Sequence, residues 1–289
     1  MAGVTDRISQ RRIVSVSAAP YDGHPAPAML DSLAACGARH VEPAFIVGYT
    51  DPFDDSAFTA AAASAYAGWL AASGLACHAL SAHIDLGRSD AVEVFRPRMD
   101  FARRLGAAVI NTNAALRGHR AAFAANIVAL ARHAEAIGIA IGLENPGDGR
   151  DSLFNVAADG LAIVTGLGRT AVGLNYDPAN TASHRPALAD PVADAILALP
   201  ACAHLHLKDV RRSAAGWTFT PLGEGDLRLA PLLAALRKRP DLPVGIELPL
   251  RFHRDPAAQP VRRPQRLTLA EIEPAIRRSL AYVAAHGLG

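Results

Sequence analysis

The chain has 289 residues, 51% of them hydrophobic and 19% charged, and its 29 Lys and Arg nearly balance 27 Asp and Glu for a formal net charge of +2. Apolar content at that level rules out disorder for most of the chain. The near-neutral balance argues against a general nucleic-acid binder, which needs a surplus of cations on one face. No run of about 20 uncharged apolar residues is present to span a bilayer. Cys36, Cys77 and Cys202 are too scattered for a disulfide framework or a thiolate zinc site. The expectation is a cytoplasmic globular protein with reduced, buried thiols and no membrane partner.

Taken in order, the chain alternates between extended and helical patterns. Strands are expected at Ile13–Ser17, His40–Ile46, Ala76–Ile84, Ala108–Ala114, Ile139–Asn145, Val172–Asp177, Ala203–Asp209 and Val244–Pro249. Between and after them, helices are expected at Pro25–Cys36, Ser56–Ser73, Ala91–Leu105, His119–Ile137, Leu153–Gly166, Pro191–Leu199, Ala230–Lys238 and Leu269–His286. Gly37, Gly74, Gly106 and Gly138 follow helices and suit left-handed helix ends. Eight strand–helix units in this order predict an α/β protein, a (β/α)8 TIM barrel in a single domain over residues 1–289. Residues 1–12 read as an N-terminal extension, and residues 250–266 as a long, Arg-rich loop after the eighth strand. A doubly wound sheet is the rival, but Ser17–Gly23 lacks the GxGxxG turn usual there.

Side-chain parity in the last four strands points to a site. Large apolar residues such as Ile141, Leu143, Leu174, Leu205, Leu207 and Ile246 share one parity, while Glu144, Asp177, His206 and Glu247 fall on the other. With the bulky set facing the helices, these four project inward near the C-terminal strand ends, where barrel enzymes keep their active sites. Three carboxylates converging with an imidazole repel one another unless a cation joins them. One divalent metal ion is therefore expected, Mn²⁺ first, with Mg²⁺, Co²⁺, Zn²⁺ or Fe²⁺ also compatible with oxygen and imidazole donors.

The strings LEN at Leu143–Asn145, NYDPAN at Asn175–Asn180, HLHLKD at His204–Asp209, PLGEGD at Pro221–Asp226 and IELP at Ile246–Pro249 carry a family resemblance. The chain resembles the xylose isomerase-like barrel superfamily, within it the sugar phosphate isomerase/epimerase branch of ketose 3-epimerases and hydroxypyruvate isomerases. The resemblance implies that Glu144, Asp177, His206 and Glu247 hold the metal, and that Glu144 and Glu247 are the catalytic acid/base pair. It also implies proton abstraction beside the carbonyl of a small ketose, through an enediolate that the metal stabilises. Homo-oligomers, dimers or tetramers, are common in the family.

Other inward or neighbouring residues are substrate or support candidates. His83, Asn180, Lys208 and Arg212 are expected to meet substrate, Arg212 because the resemblance places a substrate-contacting arginine six residues after the seventh-strand histidine. Asn145, His204 and Asp209 are expected to support the ligands. Glu42 and Asn113 are weaker candidates for the mouth, and Trp217, Phe219 and Gly223–Asp226 for a lid. Where the ketose epimerases often have a histidine three residues after the sixth-strand aspartate, this chain has Asn180, which hydrogen-bonds but does not titrate near neutrality. The alternative is a lyase or dehydratase of the inosose, dehydroshikimate or keto-glycoside type, since it starts from the same proton abstraction. An abasic-site DNA endonuclease is less compatible, because Asn180 and Asp226–Arg228 stand where its extra metal ligands would be.

Overall fold

The computed structural model describes residues 12–288. Nearly all of the extension expected at residues 1–12 lies outside the described residues. Of it, Arg12 donates to the carbonyls of Leu236, Arg239 and Leu242. The strands that build the barrel are β1 (Val14–Ser17), β2 (His40–Glu42), β3 (Ala76–Cys77), β4 (Ala79–Ser81), β5 (Val109–Asn113), β6 (Ala140–Glu144), β7 (Val172–Tyr176) and β8 (Cys202–Leu207). After β8 come β9 (Asp209–Ser213) and β10 (Gly216–Thr220), then the last barrel strand β11 (Val244–Ile246), then β12 (Phe252–Arg254) and β13 (Pro260–Arg262).

All pairings within the barrel sheet are parallel, in the order β3-β2-β1-β11-β8-β7-β6-β5-β4. The third expected strand is broken at His78 into β3 and β4. β3 pairs with β2 and β4 with β5, so the ring runs through the break, with an Ala44–Ser81 parallel bridge beside it. This is the expected TIM barrel, with the bulky parity set packed outward against the helices. Ile141, Leu143, Leu174, Leu205, Leu207 and Ile246 are completely buried there. Each such side chain contributes about 1.5–3 kcal/mol relative to exposure.

The helices are α1 (Ala26–Ala35), α2 (Ala60–Ala72), α3 (Ala91–Arg104), α4 (Arg120–Ile137), α5 (Ala157–Leu167), α6 (Pro178–His184), α7 (Pro191–Ala198), α8 (Ala230–Leu236) and α9 (Leu269–Ala285). Two start later than the sequence suggests, each for a local reason. The Thr59 hydroxyl accepts from Ala62 N–H and starts α2 afresh after a short 3-10 turn at Asp55–Phe58. At α5, Asp159 accepts the N–H groups of Asn155 and Val156, which fixes the helix start beyond them.

Residues 250–266, expected as a long loop, contain two short strands. β12 and β13 join β9 and β10 in a four-stranded antiparallel sheet, order β13-β12-β10-β9, which crosses the C-terminal end of the barrel. Val210, Trp217, Phe219 and Phe252 of this sheet form a second apolar cluster with Ala179 and Ala258. Trp217 and Phe219, expected as lid or barrel-end residues, therefore belong to a packed roof. Cys36, Cys77 and Cys202 are free and buried. Among the described residues, no helix is long and apolar enough to cross a membrane.

Candidate metal centre

The barrel interior is polar where TIM barrels are usually filled by branched apolar side chains. Glu42, Asn111, Glu144, Asn175, His204 and His206 are buried together inside it. Their crowding depends on Gly245, where a β-carbon would lie 2.5 Å from Glu42 Oε2 and 2.9 Å from His204 Cε1. A buried polar group is tolerable only when its hydrogen bonds are made. Here Asn111 donates to Glu42 (2.9 Å), Ser81 donates to Glu42 (2.7 Å), and His204 Nδ1 lies 3.0 Å from Asn175 Oδ1.

Above this layer, Glu144, Asp177, His206 and Glu247 each offer one ligand atom, all within 4.8 Å of one another, and all four residues are buried. The strand parity thus brings together the quartet the sequence pointed to. His206 Nδ1 lies 3.4 Å from Glu144 Oε1, 3.7 Å from Glu247 Oε2 and 4.0 Å from Asp177 Oδ2. Its other nitrogen, Nε2, is 3.0 Å from Glu42 Oε1. Burial opposes charge on His206, but Glu42, Glu144 and Glu247 outweigh it and raise its pKa well above the usual value. With a cation at Nδ1, the Glu42 carboxylate on Nε2 would hold the ring as a metal-ligating histidine needs. A second group with metal-ligand geometry, Glu42, His204 and His206, shares His206 and lies deeper.

Charge supports the same conclusion. Four buried carboxylates, those of Glu42, Glu144, Asp177 and Glu247, surround one obligate cation, Lys208. Lys208 Nζ is 2.5 Å from Asp177 Oδ2 and 2.6 Å from Glu247 Oε2. Burial alone would lower the Lys208 ammonium, but Asp177 and Glu247 outweigh it and hold it well above the usual value. Burial pushes the Asp177 carboxyl up, and Glu247 and Glu144 add to that against the pull of Lys208. Glu144 goes the other way. Burial opposes its ionisation, yet His206 and His83 hold it well below the usual carboxylate range. Burial likewise opposes charge on Glu42, and His206 and His204 bring it down to about 2. The donor set, three carboxylates and an imidazole with an excess of negative charge, fits a divalent cation.

Each remaining candidate has a defined place. His83 Nε2 lies 3.1 Å from Glu144 Oε2. Asn180 Nδ2 donates to Glu144 Oε1 (2.9 Å), while its Oδ1 accepts from Lys208 Nζ (3.0 Å). A continuous chain therefore runs Glu144–Asn180–Lys208–Glu247 and joins the two glutamates. Asn145 does not touch the carboxylates but grips the Asp177 backbone, accepting from its N–H (2.8 Å) and donating to its carbonyl (2.9 Å). Asp177 also caps α6, its Oδ1 accepting from Ala179 and Asn180 N–H. His204 supports the polar layer below. Asp209 lies apart from the ligands and accepts N–H groups from Val210, Gly223, Gly225 and Leu227, which shapes the Gly223–Asp226 loop. Asn113 and Glu144 are paired in register between β5 and β6, and Asn113 lines the cavity. Glu42 sits beneath the quartet, on His206, and is absent from the cavity wall.

Arg212 is a correction. It is exposed on β9, lies over the Trp217 ring at 5.4 Å, and is not part of the cavity wall. The β9–β10 hairpin turns that segment into the roof and carries the side chain to its outer side. The cavity itself has a volume of about 500 Å³ and is lined by Glu144, Asn180, Lys208, Glu247, Tyr49 and Arg254, among others. Tyr49 and Arg254 as cavity residues were not legible in the sequence, since both sit in segments without strand or helix periodicity.

The cavity's edge carries a pH-sensitive support. His184 Nδ1 accepts the Gly149 N–H (3.0 Å), and Nε2 lies 2.8 Å from Asn155 Oδ1. Burial, reinforced by Arg185, lowers its pKa from 6.5 to about 4. The unfolded chain then binds more protons than the folded one between those values. Stability is full above pH 6.5 and is lost as the pH falls toward 4, by on the order of 1–3 kcal/mol. Urea unfolding at pH 7 and pH 5 should show this loss in the wild type and a smaller one in His184→Gln. Equal losses would remove His184 as the source.

The sequence matches the xylose isomerase-like TIM barrel family over residues 30–270, and the chain belongs to that family. Among solved structures it is similar to D-allulose 3-epimerase from Methylomonas sp., with 19% identity over 96% of this chain and 98% of that one, at a TM-score of 0.70. D-Psicose 3-epimerase from Clostridium cellulolyticum H10 is similar at 13% identity, 94% and 98% coverage and a TM-score of 0.74. A xylose isomerase-like TIM barrel protein from Mycobacterium smegmatis, solved in complex with magnesium, shares 18% identity over 95% of this chain and 98% of that one, at a TM-score of 0.69. No curated protein matches the sequence.

Proposed function

We propose that this protein is a divalent-metal-dependent isomerase or epimerase of a small ketose or related keto-sugar. One observation carries the reading: Glu144 and Glu247, separated on the ring by β7 and β8, both line one cavity and converge with Asp177 and His206 on a single cation-binding point. Glu144, Asp177, His206 and Glu247 would hold the ion, with Mn²⁺ the first candidate. When bound, it supplies Lewis-acid polarisation of a carbonyl oxygen. The fold shared with ketose 3-epimerases agrees with this chemistry.

The protein's own groups divide the work of moving a proton. Glu144 lines the cavity as an ionised carboxylate and would take the proton from the carbon beside the carbonyl. Asn175 and Asn180 donate to its two oxygens at 2.9 Å each and fix its plane. Glu247 is oriented by Lys208 and is placed to return a proton to the substrate. Asn180, standing where a titrating histidine is often found, connects the two glutamates without itself exchanging protons. The roof residue Phe219, 5.4 Å from Lys208 Nζ, shields this end from water.

The test is proton exchange. A panel of ketoses and keto-sugars incubated with Mn²⁺-loaded protein in D₂O should yield at least one that gains deuterium beside its carbonyl, with about one metal ion per chain. The same NMR spectra separate a new stereocentre from lost water, the outcome the lyase alternative requires. Turnover of a substrate with no deuterium incorporation would sink the proton-transfer reading.

A further inference from the structure

Of the five arginines of residues 251–266, Arg263 is exposed and three others are tethers. Arg251 Nη1 is 3.0 Å from Asp22 Oδ2 and the same guanidinium donates to the carbonyls of Arg263 and Pro264. Arg262 pairs with Asp22 (2.5 Å) and Asp51 (2.6 Å), and Arg266 donates to Gly23 O (3.0 Å). These three tie the segment to the loops after β1 and β2. Arg254 is different. It is only 4% exposed, lines the cavity, and has no carboxylate within 4.0 Å among the described residues. Its Nη1 donates to Ala258 O (3.2 Å), and its buried Nε has no partner.

A guanidinium stays charged at any physiological pH, and a buried charge without a counter-ion is costly to keep. The fold nevertheless holds it firmly. Arg254 is paired with Trp217 between β12 and β10, and the Tyr49 ring lies 5.7 Å from its guanidinium while stacking on Phe252. The other charged groups of the cavity wall are matched: Arg88 with Asp90, Arg150 with Asp148, and Asp85 with His119. Lys208 is taken by Asp177 and Glu247. Arg254 is thus the cavity's uncompensated cation.

Its position relative to the acid/base pair is set by Gly147. A β-carbon there would lie 2.5 Å from Arg254 Nη2 and 2.7 Å from Asn180 Oδ1. The guanidinium and Asn180 flank the same glycine, and Asn180 bonds both Glu144 and Lys208. We propose that Arg254 anchors an oxyanion group of the substrate, a carboxylate or a phosphate, at the far end of a sugar whose carbonyl lies between Glu144 and Glu247. This makes the substrate an anionic sugar rather than a neutral one. It rests on the isomerase reading only in calling the bearer of the anion a sugar.

The test is calorimetric binding of inorganic phosphate, D-gluconate and neutral sorbitol to the metal-loaded wild type, Arg254→Lys and Arg254→Met. The wild type is expected to bind one of the anions more tightly than sorbitol, and the preferred anion identifies the group. Loss of a charge-assisted hydrogen-bonded fork should weaken that anion about tenfold or more in Arg254→Met. Arg254→Lys keeps the charge without the fork and should fall in between, and sorbitol should be unaffected by either change. Arg254→Met should also melt no lower than the wild type without ligand, because the unpaired buried charge is gone. Equal anion affinity in wild type and Arg254→Met, or anions bound no better than sorbitol, overturns the proposal. Anion binding that needs Arg254, without any deuterium exchange in the wild type, would instead overturn the reaction and leave the anchor standing.

Discussion

Glu144→Gln is expected to reduce deuterium incorporation into a turned-over ketose by about 10²–10⁴-fold, the usual contribution of a positioned general base. The substitution keeps shape and volume, so the effect is chemical. In the wild type both carboxylate oxygens are occupied: Oε1 by Asn180 Nδ2, and Oε2 by Asn175 Nδ2, each at 2.9 Å. A carboxamide must point its own NH₂ at one of these donors and leave that bond unmade, besides losing the basic oxygen. Metal affinity should fall as well, since Glu144 is one of the four converging donors. Exchange in Glu144→Gln at more than half the wild-type rate, with metal bound, would show that the proton is taken elsewhere.

Lys208→Met is expected to produce the largest change in stability, and one that depends on metal. Without Lys208, the buried carboxylates of Asp177 and Glu247 lose the ammonium that stands 2.5 and 2.6 Å from them. Breaking a buried pair on one side typically costs about 3–5 kcal/mol, because the remaining charge stays buried. In metal-free protein the variant should unfold at correspondingly lower denaturant. A divalent ion at the quartet restores positive charge beside the same two carboxylates, so added Mn²⁺ should close most of the gap through ligand linkage. A gap equally wide with and without Mn²⁺ would remove the quartet as the place where the ion binds.

How much of this was legible in the sequence depends on periodicity. Alternation in β6, β7 and β8 is strict, with Leu143, Leu174 and Leu205 on one face and Glu144, Asn175 and His206 on the other, so the quartet could be read from parity. His78 carries no signal of a break, and the division of the third strand comes from pairing with two different neighbours, which is a tertiary effect. The β9–β10 hairpin had a signal: Trp217, Thr218, Phe219 and Thr220 alternate after Gly216. That segment lies outside the eight-strand ring and builds the roof instead. α6 was announced by Asp177–Pro178, an N-cap followed by proline at the first helical position. Arg254 had no such signal. Five arginines of one loop look alike in sequence, and only the fold separates the tethers Arg251, Arg262 and Arg266 and the exposed Arg263 from Arg254, which is buried on the cavity wall.

The roof has a consequence for traffic through the barrel mouth. Its strands come from two separate connections, β9 and β10 from one and β12 and β13 from the other, and they share a single hydrogen-bonded ladder. Arg251 and Arg262 then fasten it to Asp22 in the loop after β1, the strand paired with β11 on the side away from β8. Lifting it would rupture backbone hydrogen bonds together with the ion pairs of Arg251 with Asp22 and of Arg262 with Asp22 and Asp51. The cavity wall also includes the loops after β2, β4 and β5, where Val47 is 73% exposed, and passage of small molecules is expected there rather than through the roof. The four converging donors stand at the ends of β6, β7, β8 and β11, so a substitution in the loops after β2, β4 and β5 leaves the strands that carry them untouched.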